Sequence, residues 1–132
     1  MASTRFLSLA EILALHDEVM RRTGGEPRPP RTLDGLASAQ YRTVANGYQA
    51  GDLLIRQAAM IAVGLSRERV FPDGNKRTGY YAAITFLNLN GLRCTGNALA
   101  GARLLDELTD PSVGEDEADE RFEMWLRAHV TH

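Results

Sequence analysis

Arg69-Val70-Phe71-Pro72-Asp73-Gly74-Asn75-Lys76-Arg77-Thr78 decides how the chain is read, because an almost wholly apolar run at residues 80–89 follows it directly. A helix apolar nearly all round is normally central and surrounded by others. A polar loop feeding the N-terminus of such a helix is the geometry that binds phosphate. Gly74, Asn75 and Lys76 would open the helix, leaving backbone N–H groups free to face an anion. Gly74 has no side chain to keep a ligand from the backbone. Lys76 and Arg77 add full charges, the arginine with a planar fork suited to phosphate oxygens. Asp73 is either a simple cap or, beside a polyphosphate, a natural magnesium ligand. Phe71 reads as an apolar pin holding the loop against the core. The bland alternative stays open, since Asp-Gly-Asn is common turn chemistry and Lys-Arg at a helix start is often just solvated. The loop is not a Walker A motif, because Asn75 separates Gly74 from Lys76.

Upstream, Ser8-Leu9-Ala10-Glu11 is a capping box. Leu9, Ile12, Leu13, His16, Val19 and Met20 then recur on one helical face. His16 lies in that stripe and reads as a packed histidine. Gly24-Gly25 ends the helix, and Pro27, Pro29 and Pro30 keep the next segment extended. A short helix is expected near residues 36–44, after Asp34-Gly35. The glycine-rich interval around Tyr48, with Asn46-Gly47 and Ala50-Gly51, fits a small hairpin flap or a connector. Asp52 is placed to cap the next helix, which buries Leu54, Ala58, Ile61, Ala62 and Leu65 and delivers the chain to Arg67.

Downstream, Asn90-Gly91 stops the central helix. Asn97 caps a helix ending near Leu108, and Asp110-Pro111 breaks it. The acidic residues 115–120 suit the start of a last helix through its dipole, with Phe122, Trp125, Leu126 and Val130 as its packed face. Beyond the candidate hairpin no strand pattern stands out. The expectation is one all-α domain over residues 1–132, a bundle of about six helices around a central buried helix.

A formal charge of −2 gives no global attraction to nucleic acid or anionic membrane, so any basic site must be local; Arg67, Arg69, Lys76 and Arg77 supply one. The single cysteine, Cys94, cannot form an internal disulfide, which fits a reducing compartment. No signal core and no run long enough to span a bilayer is apparent, so a cytoplasmic protein is expected.

The motif resembles the signature of the Fic/Doc family, H-x-F-x-[DE]-[AG]-N-[KG]-R, and most closely its Doc branch. The resemblance extends to the helix at residues 8–25 and to the helix end Phe86-Leu87-Asn88-Leu89-Asn90-Gly91. It implies an all-α Fic (Fido) fold that transfers part of a nucleotide to a hydroxyl of a target protein. AMP-transferring members carry glycine between the motif's asparagine and arginine, and a second arginine three residues on. Here those positions hold Lys76 and Tyr80, as in Doc-type toxins. Such toxins act as protein kinases that present the γ-phosphate of ATP to a threonine of elongation factor Tu, which stops translation. By that resemblance Asp73 would hold Mg2+, and Gly74, Asn75, Lys76 and Arg77 would hold the phosphates. The implied partner is a Phd-type antitoxin whose disordered tail folds into a groove of the toxin.

The family motif opens with a histidine that takes the proton from the attacking hydroxyl. Arg69 stands there instead, and an arginine stays protonated in proteins. Losing a general base costs ~10²–10⁴-fold in rate. Neither His16, His129 nor His132 is placed by sequence to take over. The chain is therefore expected to bind nucleotide and to turn over little or not at all. An AMP-transferring Fic enzyme and a non-catalytic nucleotide-binding pseudoenzyme are the alternatives.

Overall fold

The computed structural model describes residues 4–45 and 53–131, with side chains outside 42–45. The candidate hairpin flap around Tyr48 and the Asp52 cap lie outside the described residues. Six helices are described: α1 Leu9–Arg22, α2 Leu33–Ala45, α3 Leu54–Glu68, α4 Asn75–Leu89, α5 Ala98–Leu108 and α6 Glu115–Arg127. This is the all-α bundle of about six helices expected from the sequence.

Local chemistry explains most of the boundaries. Ser8 and Glu11 form the reciprocal capping box of α1, and Asn97 Oδ1 accepts from the Ala100 N–H to start α5. Helix α2 begins earlier than expected: the Thr32 hydroxyl accepts from the Gly35 N–H at 2.9 Å, so Asp34 and Gly35 lie inside its first turn. Helix α4 ends at an Asn90 cap. The Asn90 amide also exchanges two hydrogen bonds with the Arg5 backbone, each 2.9 Å, which pins the N-terminal segment to that end.

Helices α3 and α4 lie side by side at the centre, with α2 and α6 against α3, α1 against α4, and α5 touching both. Every residue of α3 from Gln57 through Ser66 is buried. Its enclosure exceeds the one-sided pattern read from the sequence, because Ala58, Ala59, Ala62, Gly64 and Ser66 let neighbours close in from several directions. Helix α4 keeps Tyr81 and Leu89 partly exposed. The core between the elements is filled by Leu36, Leu65, Phe71, Phe86, Leu87, Leu105, Phe122 and Leu126.

A short strand pair also departs from the sequence reading. Arg93–Cys94 (β1) and Val130–Thr131 (β2) pair antiparallel, with Cys94 opposite Val130. Val130 therefore belongs to a strand and not to the packed face of α6. A two-residue strand is too short for alternation to register in a sequence. No helix among the described residues is long and apolar enough to cross a membrane.

Candidate functional site

Helix α3 hands the chain to the motif through Arg69, its C-cap residue, which adopts left-handed backbone at φ 49° and ψ 53°. It is the one non-glycine with positive φ among the described residues, and its side chain is exposed. The chain then turns inward, burying Val70 and Phe71. The Phe71 ring lies flat on His16, with centroids 3.7 Å apart and planes 4° from parallel. His16 is itself buried, and its Nε2–H donates to the Asp73 carbonyl at 2.9 Å. Helix α1 thus grips the loop twice, by stacking and by a hydrogen bond.

The loop is closed from within by Asn75. Its Oδ1 accepts from the Phe71 N–H and its Nδ2 donates to the Phe71 carbonyl, both at 2.8 Å. From the sequence, Asn75 is expected to face an anion with its backbone N–H; its side-chain amide is engaged with the backbone of the loop. Gly74 takes left-handed backbone at φ 79°, and an added Cβ would come within 2.8 Å of Met20 Sδ. Glycine suits this position for its backbone angle and for its packing against α1.

Helix α4 starts at Asn75 with no side chain capping it. The Thr78 N–H is the first to be satisfied within the helix, by the Gly74 carbonyl at 3.0 Å. The N–H groups of Asn75, Lys76 and Arg77 precede that bond, and these residues line a cavity of about 700 Å³. Asp73, Gly74, Asn75, Lys76 and Arg77 line one side of it, Arg69 and Ser66 the end of α3, and Arg31 the segment after α1. The opposite wall is one face of α5, formed by Ala102, Arg103 and Asp106 and continued by Thr109. Five cationic side chains therefore face two carboxylates, Asp73 and Asp106. The Asp73 carboxylate accepts from the Gly74 N–H at 2.8 Å through Oδ1. Lys76 Nζ reaches Asp106 at 2.9 Å.

The sequence reading passed over Arg31, Arg103 and Asp106. Arg31 is brought in by its own backbone, whose N–H donates to the Val70 carbonyl at 2.7 Å. The α5 pair carried a weak signal, an arginine and a carboxylate three apart on one helical face, but nothing in the sequence says which wall that face meets. Arg67, counted with the basic cluster, points elsewhere. It donates to the Leu108 and Val113 carbonyls at 2.7 and 2.8 Å and so ties the end of α5 to α3. Tyr80 packs its buried ring edge-on to Trp125 and donates its hydroxyl to the Gly96 carbonyl at 3.3 Å. Burial, and then the Cys94 thiol beside it, push that hydroxyl well above the usual phenol range.

The start of a buried helix beside a cationic cavity is the kind of geometry that suits an anion. The Fic/DOC family profile matches residues 6–87, and the chain belongs to that family. It is similar to the protein named Protein kinase doc of Escherichia phage P1, 33% identical over 112 residues that cover 83% of this chain and 81% of that one. It is also similar to Toxin Doc of Mycolicibacterium smegmatis, 39% identical over 61 residues, or 46% of each chain.

Proposed function

We propose that this chain is a Doc-like toxin of a bacterial toxin–antitoxin pair whose nucleotide site is present and whose general base has been replaced by Arg69. The reading rests on the uncapped start of α4, whose first residues line a cavity together with Arg31, Arg69 and Arg103, so that Lys76 and Arg77 bring its cationic side chains to five. ATP is the substrate class that suits it, with Gly74, Asn75, Lys76 and Arg77 on the phosphates, the asparagine through its backbone. Bound Mg2+ would neutralise phosphate charge, and Asp73 is the residue to hold it. Among the described residues no three His, Cys, Asp or Glu side chains gather to form a metal site. One carboxylate completed by phosphate oxygens and water is ordinary for magnesium at a nucleotide.

In the reaction proposed, a target hydroxyl attacks the γ-phosphorus, the bond to ADP breaks, and the hydroxyl proton must leave. Arg69 is exposed into the cavity and always charged, so it cannot receive that proton. Phosphoryl transfer is favoured over AMP transfer because Lys76 lines the cavity, whereas Tyr80 is packed against Trp125 and Gly96. The target is a serine or threonine of a translation factor such as elongation factor Tu. The inhibitor is a Phd-type antitoxin, and the setting is the bacterial cytoplasm.

The deciding experiment incubates the Arg69→His variant with candidate target and ATP labelled at either the α- or the γ-phosphate. Transfer of γ-label, ~10²–10⁴-fold faster than by the unaltered chain, is expected. Transfer of α-label would make the protein an AMP-transferring enzyme. Tight ATP binding by both forms with no transfer by either would leave a pseudoenzyme.

A further inference from the structure

The ion pair between Lys76 and Asp106 joins the two walls of the cavity, from the first turn of α4 to the inner face of α5. Asp106 has Arg103 one turn away on its own helix, yet its carboxylate meets Lys76, 2.9 Å away. Arg31, Arg69, Arg77 and Arg103 make no ion pair among the described residues, so Lys76 is the one cavity cation already matched with a carboxylate. We infer that Asp106 is a built-in counter-ion that competes with a ligand's phosphate for Lys76 and thereby sets how tightly the cavity binds polyphosphate. The inference rests on the nucleotide reading of the cavity and assigns a role to a residue outside the motif.

Side chains of Lys76 and Asp106 keep 41% and 68% of their exposure, so their attraction is screened and the pair is easily opened. A polyphosphate carries more charge than one carboxylate and arrives with the helix N-terminus and the arginines already in its favour. Binding therefore exchanges one partner of Lys76 for another. Asp106 is then left facing the phosphates, and that like-charge contact opposes binding as well. Both effects act against the ligand, and an uncharged side chain of the same shape removes both.

The test titrates the full chain with ATP and magnesium, and separately with inorganic triphosphate, by calorimetry at low ionic strength. Asp106→Asn is expected to tighten both about 2- to 10-fold, and Asp106→Glu to bind like the unaltered chain. The gain should shrink as salt is raised. It should fall to the share owed to like-charge contact with the phosphates when Lys76 is already methionine, because the competition for that ammonium is then gone. If the unaltered chain binds and Asp106→Asn binds no better, the counter-ion role is wrong and the nucleotide reading survives. Tightening that persists in full beside Lys76→Met overturns it equally, as would a loss of affinity confined to magnesium-containing buffer, which would mark Asp106 as a metal ligand. Failure of the unaltered chain and of Asp106→Asn to bind either probe would overturn the nucleotide reading, and the counter-ion with it. Binding by the asparagine variant alone would support the inference most strongly.

Discussion

Arg69 and Gly74 hold the same unusual backbone at opposite ends of one loop, φ 49° and φ 79°, and the chain fills the two positions very differently. At Gly74 a Cβ would come within 2.8 Å of Met20 Sδ of α1, so that side chain would have to shift. At Arg69 the left-handed turn is kept although the residue is not glycine, and its side chain opens into the cavity. Left-handed backbone costs an ordinary residue roughly 1–2 kcal/mol. Such strain survives where the surrounding fold dictates it, and it concentrates at functional positions. The contrast separates a turn that serves packing from a turn that serves to present a side chain. At Arg69 the backbone is set by α3 and by the burial of Val70 and Phe71, and the side chain is free to change.

The largest effect should come from the anchor between the two turns. Phe71→Ala removes a fully buried ring stacked on His16 and should cost about 3–5 kcal/mol in urea unfolding. A loss near zero would mean that the loop is not held by its core contact. Asn75→Ala leaves the Phe71 N–H and carbonyl without their partner and should cost about 1–3 kcal/mol. If Asn75 acts only on a ligand, the same variant will unfold like the unaltered chain and lose affinity alone. Gly74→Ala is expected to lose roughly 1–2 kcal/mol from the backbone angle, read as a lower thermal midpoint, with a shift of the Met20 methyl resonance as α1 gives way. Arg69→Gly makes the smallest change and has the opposite sign. Relief of left-handed strain, less the greater freedom of glycine when unfolded, should gain up to about 1 kcal/mol in thermal stability. Destabilisation by that variant would show that Arg69 packs as well as points, and would erase the distinction drawn between the two turns.

The parts of this molecule that were legible in the sequence are those where a side chain acts on its own neighbourhood. Ser8 with Glu11, and Asn97, announce their helices because the capped N–H groups lie within three residues. The motif announces the start of α4 differently, through Gly74, whose left-handed backbone turns the chain into the helix. Arg31, Arg103 and Asp106 were not legible as cavity residues, because each is delivered by packing between segments distant in the chain. Arg67 was misplaced on the same account: two carbonyls at the end of α5 claim its guanidinium, and no local pattern says so. Asn75 shows a subtler limit. Its position in the motif was plain, but an amide can serve a ligand or its own loop equally well, and only the fold shows the two bonds to Phe71. The strand pair at Cys94 and Val130 escaped because two residues carry no period.

Gly101 touches no part of the cavity, yet it acts as a spacer for it. A Cβ there would collide with the Tyr80 ring, so α5 stands as near to α4 as two backbones with one intervening ring permit. The reach from Lys76 to Asp106, and the gap any ligand must fill, are gauged by a hydrogen atom where every other residue has a carbon. Adding that single methyl would prise the two helices apart from behind, widening the cleft while leaving each of its lining side chains unchanged.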